Sequence, residues 1–303
     1  MRRYLLICAA ALQTLAAAGA QAGLAAGPGT YAFDNPATGR PVQVAYFKPE
    51  NFNADTPVLL VLHGIKRNAE EYRDGWIEQA RTHGLMVLVP HFDRETYRGA
   101  NGYNLGNVFH AETHEEAIGR ALPRQANPPG KWSFALPDAV FADFARREKT
   151  GQAGYTLYGH GAGAQFAQRF TLFMAHSKAC RVMAANPGWY TYPDRDVQWP
   201  YGLGAVPGYT DAQLDAFLRA PFVLMLGEDD VKTGGVMRKS DGAEAQGPDR
   251  RTRGERFYAH AKQLADTRSQ KLGWRLQHVA DAGHRNTDMA AAAARNVQPC
   301  PSP

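Results

Sequence analysis

The sequence predicts a single α/β domain with a mostly parallel central sheet, helices on both faces and a loop-rich lid. Short continuous apolar runs, at residues 58–62 and 222–226, have the composition of strands that are buried on both faces. Such runs alternate along the chain with segments of helical periodicity, as expected for parallel strands joined by crossover helices. The chain has 303 residues, of which 44% are hydrophobic and 21% charged, and this is enough to bury one large core.

The individual elements follow from periodicity and from the positions of glycine and proline. We expect strands at residues 41–47, 58–62, 85–89, 155–158, 181–185, 222–226 and 275–279, with the first of them at the edge of the sheet. We expect helices at residues 70–82, 135–147, 165–176, 211–219, 253–269 and 288–295. Loops are predicted at residues 93–131, 187–208 and 233–251, and the second of these, rich in Trp and Tyr, would form a lid or pocket wall.

The first 22 residues have the pattern of a secretory signal peptide. Arg2 and Arg3 precede an apolar run at residues 4–18, and Ala20 and Ala22 are small residues at the cleavage positions. The apolar run is too short and too rich in alanine to favour a membrane-spanning helix. We therefore expect an exported chain, periplasmic or secreted, whose mature domain comprises residues 23–303 and has no stable membrane insertion.

The charge distribution does not favour a nucleic-acid partner. The formal net charge is +5, and two of the positive charges, Arg2 and Arg3, belong to the export segment. The densest basic stretch, residues 249–253, is short and is more typical of a solvated loop than of a nucleic-acid patch. His and Cys residues show no spacing typical of zinc ligands, so no metal is expected.

Two cysteines remain after export, because Cys8 lies inside the signal peptide. Cys180 and Cys300 would then be in an oxidising compartment, where a disulfide between them is favoured. The alternative is one buried thiol and one exposed thiol in the C-terminal tail.

The chemistry-bearing feature is the five-residue turn at residues 159–163, which reads G-H-G-A-G between a predicted strand and a predicted helix. A nucleophile elbow, G-x-S-x-G, has this arrangement, and its strained turn needs small flanking residues such as Gly159 and Gly163. A phosphate-binding loop is the alternative. It is disfavoured because no Lys-Ser/Thr pair follows and no acidic residue has the dinucleotide-binding spacing, so no cofactor is expected.

At this turn the sequence resembles the α/β-hydrolase superfamily, and within it the secreted polyhydroxyalkanoate-depolymerase-like and feruloyl-esterase-like proteins. The resemblance covers residues 58–285. It implies an α/β-hydrolase domain, an acyl-enzyme mechanism on carboxylic esters, and a small-molecule or polymeric ester as the ligand.

The resemblance also assigns roles to individual residues. His63 and Gly64, just after a strand, match the oxyanion-hole motif, so that backbone N–H groups of Ile65 and Ala162 would bind the developing oxyanion. Asp230, chosen over its neighbour Asp229, would be the acid, and His284 the base. The chain order of nucleophile, acid and histidine is the one that this fold uses.

The chain departs from the family at the centre of the elbow, where Gly161 stands in place of serine. Glycine has no side chain, so no acyl-enzyme can form there, and His160 is expected to point away from the substrate. Either the protein is inactive or very weak and binds an ester, polymer or glycan without turnover, or His284 and Asp230 activate a water in a slow hydrolysis. A natural, engineered or erroneous Ser-to-Gly change is a third interpretation, because the two codons can differ by one base.

The sequence alone does not decide the roles of two further groups of residues. The aromatic residues Trp189, Tyr190 and Tyr192 either pack within the lid or form a shelf for substrate. Asn104 and Asn107 could face the pocket.

Overall fold

The structure, a computed structural model, describes residues 23–123, 125–234 and 237–300; the predicted signal peptide lies outside these residues. The strands are β1 (Gly27–Asn35), β2 (Arg40–Lys48), β3 (Val58–Leu62), β4 (Met86–Pro90), β5 (Phe109–His110), β6 (Gln125–Ala126), β7 (Tyr155–His160), β8 (Ala179–Ala185), β9 (Phe222–Gly227) and β10 (Arg275–Val279). The α-helices are α1 (Ala69–Asp74), α2 (Ile77–His83), α3 (Gly99–Gly102), α4 (His114–Ala117), α5 (Leu136–Glu148), α6 (Ala162–Phe173), α7 (Asp211–Arg219), α8 (Asp241–Glu244), α9 (Arg250–Thr267) and α10 (Asn286–Ala294).

The central sheet has eight strands in the order β1-β2-β4-β3-β7-β8-β9-β10. The first two pairings, β1 with β2 and β2 with β4, are antiparallel, and the remaining five are parallel. Helices cover both faces, so the predicted fold class is confirmed. Because the carboxyl ends of parallel strands lie at one edge of the sheet, the loops after β3, β7, β9 and β10 all emerge at that edge.

The sheet separates two hydrophobic cores, and β3 contributes to both. Leu60 and Leu62 pack into a core with α5, α6, α7 and α9, whereas Leu59 and Val61 pack into a second core with α1, α2 and α10. Alternate residues of a strand point to opposite faces, so a strand that is covered on both sides must be apolar throughout. This is the physical reason for the continuous apolar run that predicted β3.

The sequence prediction was wrong about the edge of the sheet. The strand expected there corresponds to β2, which is covered along its whole length by the unpredicted β1. In β1 only one face is buried, and Gly27, Pro28 and Gly29 stand at its start. An edge strand with an exposed face and with glycine and proline has the composition of a loop, which is why periodicity did not reveal it.

Several helices also differ from the prediction. The helices expected at residues 165–176 and 288–295 are α6 and α10, which begin three and two residues earlier, at Ala162 and Asn286. The segment expected as one helix at residues 70–82 is divided at Gly75 and Trp76 into α1 and α2, and the Trp76 side chain is fully buried between them and the sheet. The helix expected from residue 253 begins at Arg250, because the Asp249 side chain caps it by accepting the N–H of Thr252.

The basic stretch at residues 249–253 is therefore not a solvated loop. It forms the first turn of α9, and Arg250 and Arg253 are 5% and 0% exposed. The loop predicted at residues 233–251 also contains a short helix, α8.

The predicted disulfide is present between Cys180, in β8, and Cys300. It joins the C-terminal segment to the sheet. Among the described residues, no helix has the length and apolar character needed to span a membrane.

Candidate active site

The sharp turn between β7 and α6 centres on Gly161, whose backbone has φ 58° and ψ −111°. The Gly161 N–H donates to the carbonyl oxygen of Ala185, which fixes the turn against β8. A Cβ atom at Gly159 would lie 2.1 Å from the carbonyl oxygen of Gly163, and one at Gly163 would lie 2.2 Å from that of Leu62. Strand and helix thus approach so closely that neither flanking position can hold a side chain.

His284 lies directly over this turn. A Cβ atom at Gly161 would be 3.5 Å from His284 Nε2 and 3.7 Å from Cε1, and within 4 Å it would meet no other atom beyond its chain neighbours among the described residues. On the other side of the ring, Nδ1 lies 2.7 Å from Asp230 Oδ2. The loops that follow β7, β9 and β10 therefore bring residues 161, 230 and 284 together.

Asp230, and not Asp229, makes the contact with His284. The Asp230 side chain is 1% exposed, whereas Asp229 is exposed to solvent. The backbone N–H of Asp230 donates to the carbonyl oxygen of Gly227, the last residue of β9. This hydrogen bond sets the direction of the loop. Because a carboxylate only accepts hydrogen bonds, Nδ1 of His284 carries a hydrogen and Nε2, facing Gly161, is the basic nitrogen when the ring is neutral.

Arg250 is a member of this site that the sequence did not reveal. Its Nη1 lies 3.1 Å from Asp230 Oδ1, so that the two carboxylate oxygens have different partners. The Arg250 side chain is only 7% exposed. The only signal in the sequence was a basic stretch that includes the first turn of α9. The neighbouring residues in the sequence do not show whether an arginine there is buried or exposed to solvent.

The oxyanion-loop residues lie between β3 and α1. His63 is fully buried, and its Nε2 accepts the backbone N–H of Phe92 at 3.1 Å, while Nδ1 lies 3.2 Å from the carbonyl oxygen of Gly64. Burial, together with the nearby Arg67 cation, lowers the pKa of His63 to about 3. The imidazole is therefore neutral and holds the loop in place rather than contacting a ligand.

The two backbone N–H groups assigned to the oxyanion hole, those of Ile65 and Ala162, lie in different surroundings. The Ile65 side chain is 58% exposed at the surface of the loop. Ala162 is the first residue of α6, where N–H groups have no acceptor within the helix and the helix dipole favours negative charge.

His160 lies beside the elbow but is engaged elsewhere, in agreement with the expectation that it turns away from the substrate. It is 4% exposed, its Nδ1 lies 3.0 Å from the Tyr72 hydroxyl, and its ring centre lies 4.8 Å from that of His284. Burial, followed by the nearby His284 and Arg250, lowers the pKa of His160, so this ring is neutral as well. The Tyr72 hydroxyl would be 2.6 Å from a Cβ atom at Gly64, so this glycine makes room for it.

The aromatic residues of the lid make the contacts of packing residues. Tyr190 is fully buried and stacks on Phe257 with ring centres 4.4 Å apart, and Tyr192 packs edge-on against the same ring. Trp189 is 4% exposed and contacts the guanidinium groups of Arg169 and Arg238. These contacts favour lid packing over a shelf for substrate.

The two asparagines have separate surroundings. Asn104 is 7% exposed and donates to the Gln165 side chain in the first turns of α6, close to the elbow. Asn107 donates to the carbonyl oxygen of Lys131 in the loop region.

Within the described ranges, no group of three or more His, Cys, Asp or Glu residues could hold a metal ion.

A strand–turn–helix elbow faced by a histidine–carboxylate pair defines the site of an α/β-hydrolase. Among solved structures, poly(aspartic acid) hydrolase-1 from Sphingomonas sp. KT-1 is 33% identical to this chain, with coverage of 90% of this chain and 99% of that chain and a TM-score of 0.83. The poly(3-hydroxybutyrate) depolymerase from Bordetella parapertussis is 31% identical, with coverage of 91% and 92% and a TM-score of 0.82.

The chain therefore belongs to the α/β-hydrolase superfamily, in its depolymerase-like and esterase-like branch. An S-formylglutathione hydrolase from Agrobacterium tumefaciens shares the fold at 14% identity, with coverage of 90% and 94% and a TM-score of 0.56. Comparison with family models and with curated proteins gives no match.

Proposed function

We propose that this chain is an esterase-type hydrolase relative that binds a carboxylic ester, small or polymeric, and forms no acyl-enzyme with it. The observation that carries the proposal is the geometry at Gly161. Its backbone has the strained angles of an elbow, and His284 Nε2 faces the point at which a side chain would begin. His284 and Asp230, the proposed base and acid, are in contact, and residue 161 has no side chain that could attack a carbonyl carbon.

The expected chemistry follows from the absence of a serine hydroxyl group at residue 161. In a serine enzyme the imidazole takes the hydroxyl proton while the oxygen attacks the carbonyl carbon. Here Asp230 would keep the His284 ring in the correct tautomer, and the N–H groups of Ile65 and Ala162 would bind the carbonyl oxygen, with no covalent step. Binding and the oxyanion donors alone give about 10³–10⁴ over the uncatalysed rate, so turnover is absent or very slow.

A slow hydrolysis by water is the second candidate. It is favoured by the open space between Gly161 and His284 Nε2, in which a water could donate a hydrogen bond to the imidazole. A free water stays farther from the Gly161 Cα atom than a bonded oxygen would, so its attack geometry is poorer than that of serine.

The relatives suggest the kind of ligand. Poly(aspartic acid) is a polyamide and poly(3-hydroxybutyrate) is a polyester, and the hydrolases named for them are each more than 30% identical to this chain. Both are linear polymers with regularly spaced carbonyl groups. We therefore favour a linear polymer or its short oligomers over a glycan.

The test is a Gly161→Ser variant, compared with the natural chain on p-nitrophenyl esters and on oligomers of 3-hydroxybutyrate and aspartic acid. We expect the serine to raise ester hydrolysis by at least 10²-fold. We expect a fluorophosphonate probe to label the variant and not the natural chain. A second substitution, His284→Ala, should abolish the gain.

A folded Gly161→Ser variant without activity would contradict the catalytic arrangement. Labelling of the natural chain by the probe would reveal a nucleophile other than residue 161. A natural chain whose slow hydrolysis is lost in His284→Ala would favour the water mechanism over simple binding.

We also propose that the protein is exported. The signal-peptide pattern of residues 1–22 and the disulfide between Cys180 and Cys300 both support an oxidising compartment. Expression of the full chain in a bacterium should yield a periplasmic or secreted product that begins at Gly23. A product that stays in the cytoplasm with residues 1–22 attached would contradict this.

A further inference from the structure

Glu148, the last residue of α5, is a nearly buried carboxylate that holds the start of the described chain. Its side chain is 4% exposed. The backbone N–H of Leu24 donates to Glu148 Oε1, and Lys48 Nζ lies 2.5 Å from Oε2. The same ammonium group of Lys48 donates to the carbonyl oxygen of Leu24 at 2.9 Å. Both polar groups of the Leu24 backbone are therefore bound, one residue after Gly23.

The position of Glu148 is unfavourable unless cations surround it. The C-terminal end of a helix such as α5 carries a partial negative charge of about one half, which repels a carboxylate. A carboxylate that is removed from water also needs a counter-charge. Lys48 supplies one, and no other lysine, arginine or histidine in the described part of the chain has a side-chain nitrogen within 4 Å of this carboxylate. The negative charge at this point therefore exceeds the positive charge, and a second cation would be favourable.

Gly23 lies within reach of the same carboxylate. A Cβ atom at Gly23 would be 3.5 Å from Glu148 Oε1 and 3.9 Å from Oε2. If the chain begins at Gly23, its nitrogen is free to rotate about the bond between Cα and the carbonyl carbon. One of the staggered positions that it can reach is the place of that Cβ atom, because glycine has no side chain there. An α-ammonium group in this position is within ion-pair distance of Glu148.

We propose that removal of residues 1–22 completes an ion pair in the folded protein, in which the α-ammonium group of Gly23 binds the Glu148 carboxylate beside Lys48. Hydrolysis of the Ala22–Gly23 peptide bond by a signal peptidase consumes one water and leaves a carboxylate on Ala22 and an ammonium on Gly23. In the uncut chain the same nitrogen is an uncharged amide. Processing therefore stabilises the folded state, an inference that rests on the export proposed above.

The ion pair acts on the edge of the central sheet. β1 begins at Gly27, four residues after Gly23, and Gly27 is paired with Lys48, the last residue of β2. The α-ammonium, the carboxylate and the end of the β1–β2 ladder thus meet at one corner of the sheet. Because only one face of β1 is buried, few other contacts hold this strand, and an ion pair at its start contributes a large share of its stability.

The other charged and titratable groups near Glu148 do not replace the α-ammonium. Asp143, on the same helix, forms ion pairs with Arg146 and Arg147. The Tyr31 hydroxyl, from β1, is neutral because burial raises its pKa. The balance of charge at Glu148 is therefore set by Lys48 and by the chain terminus.

The test compares two forms of the natural chain that begin at Gly23, one with a free α-amine and one with an acetylated α-amine. Acetylation removes the positive charge and leaves Gly23 in place. In urea unfolding at pH 7, the folding equilibrium constant should be about tenfold larger for the free amine. In Glu148→Gln, acetylation should have almost no effect. Glu78→Gln is the control, because Glu78 is exposed on α2, and it should respond to acetylation as the natural chain does.

A second measurement reports on the ion pair itself. NMR titration of a chain that begins at Gly23 and is labelled with ¹³C-glycine gives the pKa of the α-amine. A neighbouring carboxylate favours the ammonium form, so this pKa should rise from its ordinary value of about 8 to about 9. The gain in stability from the free amine is then complete below about pH 8 and is lost as the pH rises through about 9. In Glu148→Gln the pKa should stay at about 8.

Lys48→Met keeps the proposal testable if Glu148→Gln does not fold. The α-ammonium is then the only cation beside Glu148, so acetylation should lower the folding equilibrium constant by more than about tenfold. Three outcomes would overturn the proposal. These are a natural chain whose stability does not respond to acetylation, an equal response in Glu148→Gln, and an α-amine pKa that stays at about 8 in the natural chain.

The ion pair and the proposed export can be refuted separately. The stability measurements use a chain that is made to begin at Gly23, whereas mass spectrometry of the product from a bacterium that expresses the full chain identifies the residue at which cleavage occurs. A product that begins at Gly23 but shows no effect of acetylation would refute only the ion pair. A product that begins at another residue would refute the cleavage site and, with it, the role of the ion pair in processing.

Discussion

His63 Nε2 accepts the backbone N–H of Phe92 at 3.1 Å, so the histidine of the oxyanion motif holds two loops together as a neutral ring. A protonated imidazole has no lone pair with which to accept this bond. The loop that would carry the oxyanion donor therefore depends on a buried histidine that must stay uncharged.

This relationship predicts an acid-sensitive stability. In the unfolded chain a histidine binds a proton below about pH 6.5, whereas burial and Arg67 lower the pKa of His63 in the folded state to about 3. Between these values the unfolded state binds more protons, so the free energy of unfolding decreases as the pH falls from 6.5 towards 3. Above pH 6.5 the neutral His63 makes its full contribution to the free energy of unfolding. About 2 kcal/mol of this contribution is lost by pH 5.

Urea unfolding of the natural chain and of His63→Gln at pH 7 and pH 5 measures this loss. The variant should lose less stability between the two pH values, because glutamine does not titrate. His83→Gln is the control, since His83 is exposed. Equal losses in His63→Gln and in the natural chain would show that another group causes the acid sensitivity.

Restoring the serine should reduce stability while it restores chemistry. Gly161 has φ 58°, a left-handed angle that side chains rarely adopt. A residue with a Cβ atom in such a strained conformation costs about 1–3 kcal/mol, so both Gly161→Ala and Gly161→Ser should lower the free energy of unfolding by this amount. Gly130→Ala is the control, because a Cβ atom there meets nothing within 4 Å and the backbone is not left-handed.

Urea unfolding of the three variants decides this prediction. If Gly161→Ser were as stable as the natural chain, the turn would not be strained in solution and the elbow geometry would be wrong. The result also bears on the origin of the glycine, since a stabilising loss of serine would be easy to retain in a binding protein.

The parts of the fold that the sequence predicted are those with a strong local signal. The bounds of β3 and α7 match the prediction, because a strand buried on both faces and a helix with a capping residue are marked by their own composition. The bounds of β10 also match, although this strand lies at the end of the sheet and none of its residues is buried. The edge strand β1 has no such signal, and its identity depends on its pairing with β2.

The residues of the candidate site also divide into those that have a local signal in the sequence and those that have none. Gly161, Asp230 and His284 could be named because each follows a recognisable strand and their order along the chain is that of the fold. Arg250 could not, since its burial results from the packing of α9 against the loop after β9. The packing of Trp189 against Arg169 and Arg238 is likewise a long-range contact that composition does not encode.

The disulfide should supply a large share of the stability of the folded protein. Cys180 and Cys300 are 120 residues apart in sequence, so the bond closes a long loop in the unfolded chain. Loss of such a bond costs about 2–5 kcal/mol, mainly through the entropy of the unfolded state. A Cys180→Ala, Cys300→Ala double variant should unfold at correspondingly lower urea concentration.

The same variant provides its own control. Under reducing conditions the natural chain should become as unstable as the double variant, and the double variant itself should not respond to the reductant. A natural chain that is equally stable with and without reductant would show that the bond does not form in solution.

The ion pair between Arg250 and Asp230 should be the most sensitive contact of the site. Both side chains are less than one-tenth exposed, so Arg250→Gln leaves a buried carboxylate without its counter-charge, which costs about 3–5 kcal/mol. Arg251→Gln, in the same turn but 40% exposed, should change stability by less than about 0.5 kcal/mol. Adding Asp230→Asn to Arg250→Gln should recover part of the loss, because the double variant buries no unpaired charge. A double-mutant cycle by urea unfolding measures this coupling, and additive losses would mean that the two side chains do not interact in solution.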